Sequence, residues 1–335
     1  MSRFSNPGEI LSYSASSKQT GPEGFRILAP AVSYLPALIE RWPALGDALG
    51  KAPPLIINTY PASLGQFTFG IFVDTYLSVQ TGLRALQLAA KEGLSALLMG
   101  QPLFLAELLF RGFQQGISWP DSLILASGGY IMPLSLEKVL IQRFTAKSVN
   151  CLVLHCYGVA EVDAACLVAL ERNQKGEILY YPRDSEIQAE ISQGRLFLGY
   201  QQAMQALQLW DTGDFAVRDD AALKITPSPA RLDPSVLTNL ESWSESDWER
   251  RTGYLAWREG PVCQLREGFL SETENELAHF IFAHENGFSW LGVCQHSCRI
   301  NHATASFETV GLTGFSATGP IGSQLRVFLP FQRSG

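Results

Sequence analysis

Between residues 54 and 170 the spacing of apolar positions changes repeatedly. Short continuous apolar runs, PLIINTY (54–60), SALLMG (95–100), SLILASGG (122–129) and CLVLHCYG (151–158), alternate with three longer segments. In those, TYLSVQTGLRALQLAAKEG (75–93), PLFLAELLFRGFQQG (102–116) and PLSLEKVLIQRF (133–144), apolar residues recur every three to four positions. The first kind predicts strands buried on both faces and the second amphipathic helices, so the order predicts βαβ units on a mostly parallel sheet. Pro102 and Pro133 are placed to open two of the helices, where a missing N–H costs nothing. Ligand sites in such sheets lie at the carboxyl ends of strands. Three glycine-bearing turns fall at such ends, LMGQP (98–102), ASGGY (126–130) and CYGVAE (156–161).

After residue 172 the pattern shortens into polar, strand-like pieces, EILYYP, GRLFLGY, LQLWDTGDFAV and ALKITPS. They predict an antiparallel β region appended to the sheet. The stretch at 228–251 is rich in Ser, Pro and charge, and a linker is placed near 231–234. This divides the chain into a large unit, 1–230, and a smaller α+β unit, 234–335, with ELAHFIFAH and SWLGVCQ as strands. There is no internal repeat and no low-complexity tract.

Composition narrows the partners. The 335 residues are 46% hydrophobic and 17% charged, enough for a sizeable core and two or three domains. A net charge of −7 with singly scattered basic residues leaves no stripe for phosphate backbones, which argues against nucleic acid. The first residues, MSRFSNPGEILSYSASS, hold no apolar signal core, and LFLAELLF (103–110) is broken by charge well short of a membrane span. A cytoplasmic location is the expectation. Cys151, Cys156, Cys166, Cys263, Cys294 and Cys298 sit mostly inside apolar runs, which fits reduced core thiols better than a disulfide framework. CQHSC (294–298), with His296 inside it and His302 nearby, matches no familiar zinc spacing and reads as a strand running into a turn.

Four stretches carry the chemistry by their order. SYSASSKQTGPEG (12–24) is a Ser/Thr/Gly loop; SGG (127–129) and YGVAE (157–161) end buried strands; WDTGD (210–214) precedes Arg231-Leu232-Asp233. Together they resemble the adenylate-forming superfamily of acyl- and aryl-CoA synthetases, nonribosomal-peptide adenylation domains and luciferases. In that family a Ser/Thr/Gly loop ending in Pro-Lys-Gly cradles the ATP phosphates. A Tyr-Gly-x-Thr-Glu turn contacts adenine, phosphate and magnesium, and Thr-Gly-Asp holds the ribose. HATASFETVGLTGFSATGPIGSQLR (302–326) is similar to the end of the family's small mobile domain.

The resemblance implies an adenylate-forming α/β large domain with a β subdomain and a smaller α+β C-terminal domain. It assigns Ser16, Ser17, Thr20 and Gly21 to the phosphate cradle, where hydroxyls and backbone N–H groups satisfy phosphate oxygens. By themselves they are equally a flexible serine-rich turn. Gly128 and Gly129 would let adenine approach the backbone, against the plainer reading of a tight turn after a strand. Tyr157 would stack on the purine and Gly158 permit the turn, with Glu161 as the catalytic carboxylate and magnesium ligand. Alternatively Glu161 and Asp163 open a helix, where acids favour the N-terminal dipole. Asp214 would accept the ribose hydroxyls and Arg231 make a second ribose contact at the hinge; the plainer reading of DTGD is a β-turn. His155 reads as pocket lining. The acid pocket is expected along helix 75–92 and near 98–102, 126–132 and 155–159, including Tyr130, Met132 and Cys156.

Departures from the family pattern qualify the activity. Glu23 stands where the family has lysine in the phosphate loop, with Lys18 nearby; Tyr130 follows the glycine pair; Ala160 replaces the threonine before Glu161. The family's C-terminal lysine, which bridges carboxylate and α-phosphate, is matched by the turn Gly322-Ser323, and no lysine follows Lys224. Losing that cation slows adenylation by on the order of 10² to 10³. The phosphate loop begins at residue 12, where family members carry a substantial N-terminal subdomain, so a complementing chain or a more open site is expected, and exposed apolar surface would favour self-association. The expected function is ATP- and magnesium-dependent activation of a small carboxylic acid, with transfer to CoA or a phosphopantetheine carrier protein. It is expected to be impaired or partner-dependent. The alternative is a non-catalytic homologue serving as scaffold or regulatory subunit.

Overall fold

The computed structural model describes residues 35–59, 69–75, 79–129, 131–159, 162–170, 172–201, 207–227, 238 and 240–249, and the backbone of strands at 10–13, 25–28, 267–272, 279–285, 288–294, 298–301 and 306–309. The chain opens with an antiparallel pair, β1 (Ile10–Tyr13) and β2 (Phe25–Leu28). Then come α1 (Leu35–Arg41), α2 (Pro43–Leu49), β3 (Leu55–Asn58), β4 (Ile71–Asp74), α3 (Val79–Glu92) and β5 (Ala96–Gly100). They are followed by α4 (Pro102–Gln115), β6 (Ser122–Ser127), α5 (Leu134–Thr145), β7 (Asn150–Val159), β8 (Asp163–Ala169) and β9 (Tyr181–Pro182). Seven strands form one sheet in the order β4-β3-β5-β6-β7-β8-β9, parallel from β4 to β7 and antiparallel across β7, β8 and β9.

The predicted alternation from 54 to 170 therefore forms, and alternation within each strand sorts its two faces. Leu55, Ile57, Leu98, Leu123, Leu125 and Val153 pack with α3, α4 and α5; Ile56, Leu97, Met99, Ile124, Ala126 and Leu154 pack with α1 and α2. Pro102 is the first residue of α4, which ends on Gly116 in the left-handed conformation at φ 61°. Pro133 precedes α5 and offers no side-chain cap.

That missing cap comes from far along the chain. The Leu134 and Ser135 amides donate to the two carboxylate oxygens of Glu241 at 2.7 and 3.0 Å, satisfying orphan donors of the first turn. Trp248, fully buried, reaches Ser135 Oγ through its indole nitrogen at 3.2 Å and lies 4.6 Å from Trp243, ring centre to ring centre. At the other end of α5, Arg143 is held between Glu245 and Glu249 at 2.7 and 2.8 Å. Leu240, Trp243 and Trp248 thus belong to the core formed with α3, α4 and α5. The expected linker at 231–234 lies outside the described residues, whereas residues 240–249, C-terminal to it, form a strap on the large sheet's helical face.

The second sheet is an antiparallel meander of β10 (Ile187–Ser192), β11 (Arg195–Tyr200), β12 (Leu209–Asp219) and β13 (Ala222–Thr226), as the pattern after 172 predicts. Its inner face, Ile187, Leu196, Leu198, Ala216 and Leu223, packs against Val159, Val162, Cys166 and Leu167 of the β7–β8 hairpin. A bridge between Tyr180 and Leu223 joins the two sheets. Farther on, β14 (Glu267–Glu272), β15 (His279–Glu285) and β16 (Phe288–Cys294) form an antiparallel sheet that includes both strands expected there. A further pair, β17 (Cys298–Asn301) and β18 (Ser306–Thr309), follows; the helical part of the expected α+β unit falls outside the described residues. Among the described residues no helix is long and apolar enough to cross a membrane.

Candidate functional site

The carboxyl ends of β5, β6 and β7 bring the expected glycine turn beside the expected tyrosine. Gly128 N donates to Gly100 O at 3.2 Å, and a Cβ on Gly128 would stand 3.3 Å from the Cys156 carbonyl oxygen. The turn thus lies against the backbone of β7, an approach a side chain would disturb. Gly129 takes φ +88°, a left-handed conformation that favours glycine. A tight turn and close approach are therefore both present at Gly128–Gly129.

Tyr157 and Asp214, 57 positions apart, meet directly. The Tyr157 hydroxyl donates to Asp214 Oδ2 at 2.6 Å, and Asp214 is 1% exposed. The reason lies in β12. Residues 211–214 are not a turn between strands: they lie inside β12, where the β11 pairing shifts register between Arg195 and Phe197. Gly213 sits at φ +81°, its amide donates to Asp211 Oδ1 at 2.9 Å, and Thr212 Oγ1 is anchored on the Leu196 carbonyl at 2.8 Å. The irregularity turns Asp214 inward, toward β7. The β-turn reading of DTGD is thereby replaced by an irregular strand.

Two further expectations change. Tyr157 and Gly158 lie within β7 at a register shift with β8, and the chain reverses after Val159, with Val162 N on Val159 O at 2.9 Å. Gly158 lies within β7, ahead of that reversal. Asp163 begins β8, so a helix does not open there; its carboxylate takes Arg183 Nη1 at 2.9 Å. Met132 packs in the core with α3, α4 and α5, while Cys156 packs against the α1–α2 core. Ser16, Ser17, Thr20, Gly21, Glu161 and Arg231, like Lys18, Glu23, Tyr130 and Ala160, lie outside the described residues.

His155, expected as pocket lining, is buried and belongs to an ionic cluster the sequence does not reveal. Its Nε2 lies 3.3 Å from Glu137 Oε2, which also receives Arg172 Nε at 2.6 Å. Arg172 donates besides to Met132 O and Gly176 O, each at 2.7 Å. Burial pushes the His155 imidazole below its usual value, and the nearby Arg172 charge acts the same way. Burial alone would raise the Glu137 carboxyl, yet contacts with His155 and Arg172 hold it below its usual value. Beyond a charge inside an apolar run, the sequence offers no signal for this cluster. Among the described cysteines, Cys151, Cys156 and Cys166 are free thiols, as expected, and burial pushes Cys151 and Cys156 up to about 12. Both are poor nucleophiles.

Among the described residues no three His, Cys, Asp or Glu side chains converge on a metal position. No family model matches the chain, and no curated protein matches it. Solved structures similar to it include the acyl-CoA synthetase (AMP-forming)/AMP-acid ligase II-like protein from Dyadobacter fermentans, at 15% identity over 67% of this chain and 61% of that one, TM-score 0.41. The amide bond synthetase McbA from Marinactinospora thermotolerans is similar at 18% identity over 66% and 49%, TM-score 0.41. A long-chain-fatty-acid-CoA ligase from Archaeoglobus fulgidus is similar at 12% identity over 66% and 53%, TM-score 0.40. The match thus spans less than two thirds of each of these structures. The chemistry assigned to the site rests on the chain's own residues.

Proposed function

We propose that the chain is an ATP-dependent carboxylate-activating ligase whose adenylation step is impaired or partner-dependent. The observation that carries this reading is the meeting of three separated stretches near the carboxyl ends of β6 and β7: Gly128 against β7, and Tyr157 on Asp214. In an open α/β sheet, ligand sites lie at that end of the strands.

In this reading the Gly128–Gly129 backbone receives adenine beside Tyr157, Asp214 and Arg231 take the ribose, and Ser16, Ser17, Thr20 and Gly21 cradle the phosphates. The described residues fit the nucleoside half, since Gly128 presents side-chain-free backbone and Asp214 supplies a buried acceptor. Magnesium would depend on Glu161 together with the nucleotide's own phosphate oxygens, and would offset phosphate charge as pyrophosphate leaves. The acceptor would be the thiol of CoA or of a phosphopantetheine carrier, the substrate a small carboxylic acid and the location cytoplasmic. A complementing subunit or a second copy would be its protein partner.

Two observations favour a second reading, a non-catalytic scaffold or regulatory homologue. Asp214 already holds the Tyr157 hydroxyl, and no lysine follows Lys224. Calorimetric titration with Mg-ATP, beside Asp214→Ala, tests the nucleotide site that the ligase reading requires. The ligase reading expects binding that the substitution abolishes, and absence of binding at millimolar ATP would overturn it.

A further inference from the structure

Arg172 joins three separate segments of the chain. Its guanidinium donates to the Glu137 carboxylate in the first turn of α5, to the Met132 carbonyl and to the Gly176 carbonyl. Met132 lies three residues after Gly129, on the segment joining the glycine turn to α5. Gly176, at φ +81°, closes the turn that begins at Asn173 and packs on Leu134; a Cβ there would stand 2.8 Å from Leu134 Cδ2. Glu137 in turn contacts His155, two residues before Tyr157 on β7.

One ionic cluster thus grips the far end of the glycine turn and the strand that carries Tyr157. Ser127 and His155 are register partners on β6 and β7, so the grip spans the seam between those strands. The side chains of Glu137, His155 and Arg172 are 13%, 2% and 10% exposed, so water contributes little to screening the cluster.

We propose that Arg172 is a positioning residue that, through Glu137 and the Met132 carbonyl, fixes the glycine turn against the Tyr157 strand and so keeps both in the geometry a ligand meets. The planar guanidinium supplies three donors in fixed directions to three acceptors on different segments. A lysine ammonium would retain the charge beside Glu137 but could not reproduce that fork. Stability and positioning can therefore be separated. What the positioned turn binds rests on the nucleotide reading, whereas the coupling of the two segments does not.

The experiment compares Arg172→Met, Arg172→Lys and Glu137→Gln in the full chain, reading thermal midpoint, Mg-ATP affinity, and hydrogen exchange in peptides covering 128–133 and 155–159. Arg172→Met should lower the midpoint and speed exchange in both segments about tenfold or more, while β10 and β11 keep wild-type protection. Arg172→Lys should recover most of the midpoint but neither the protection nor the affinity. If Arg172→Met does not fold, Glu137→Gln decides, since it removes the charge at nearly constant shape and should speed exchange in the same two segments. Recovery of protection and affinity by lysine would overturn the proposal, as would exchange confined to 172–178. Failure of wild-type protein to bind Mg-ATP would remove the nucleotide reading and leave the exchange comparison to decide the coupling.

Discussion

The hydroxyl of Tyr157 reaches Asp214 Oδ2 at 2.6 Å, joining the last residues of a strand in the large sheet to an irregular strand of the second. Removing the donor leaves a buried carboxylate short of one hydrogen bond. Tyr157→Phe should therefore lower unfolding free energy by about 1–3 kcal/mol. The check is a shift in urea midpoint at constant m-value. An unchanged midpoint would mean that the contact adds nothing to the fold.

Glu107 is a buried acid on α4. Its Oε1 takes Arg111 Nε at 3.1 Å, but burial outweighs the guanidinium and pushes the carboxyl up to about 8. The folded state then keeps its proton between the unfolded value, 4.5, and about 8. Stability should fall as pH rises through that window, by up to about 1.4 kcal/mol per pH unit. Glu107→Gln should flatten this slope and raise stability at pH 8, measured as denaturation midpoints at pH 5 and pH 8. Equal slopes in both proteins would show that Arg111 keeps Glu107 ionised.

The strap offers a test of packing. Trp248 is fully buried against α5, so Trp248→Ala should cost about 3–5 kcal/mol through lost contact and a residual cavity. Glu241→Ala, which uncaps the Leu134 and Ser135 amides, should cost about 0.5–2 kcal/mol. Both are read by chemical denaturation. A cost below about 1 kcal/mol for the tryptophan would mean that the segment is not part of the core.

Two glycines should fail differently. Gly213 has open space around its Cβ position but sits at φ +81°, so Gly213→Ala should cost about 1–2 kcal/mol from backbone strain alone. At Gly128 the difficulty is the Cys156 carbonyl, backbone that cannot rotate aside. Gly128→Ala should therefore displace the turn and weaken Mg-ATP binding more than it weakens the fold. Equal loss of affinity and stability in that variant would contradict this division.

What could be read in the sequence depended on the range of the forces involved. The alternation of Leu123, Ile124 and Leu125 with the PLSLEKVLIQRF period needs only local pattern, and the parallel sheet follows from it. DTGD reads as a turn because Asp211 and Thr212 accept the amides two residues on, yet the stretch lies inside β12, where the pairing with β11 shifts register. VDAACLV carries no distinctive period, so strand and helix are equal until β7 pairs with it. At 228–251 the local texture is polar and hides two tryptophans and three glutamates whose partners stand about a hundred residues earlier. Of the expected site, the glycine turn follows β6, Tyr157 lies near the carboxyl end of β7 and Asp214 in the irregular part of β12; the Arg172 cluster needed the tertiary structure to be seen.

The strap also sets an order of events during synthesis. Ser135 and Trp248 are 113 positions apart, and at about 5–20 residues per second translation takes roughly 6–20 s to cover that distance. For that interval α5 has neither its cap nor its cover, and the apolar surface that Trp243 and Trp248 will occupy faces the medium of the growing chain. The nascent protein therefore carries an uncovered apolar face for seconds before its own strap can close over it.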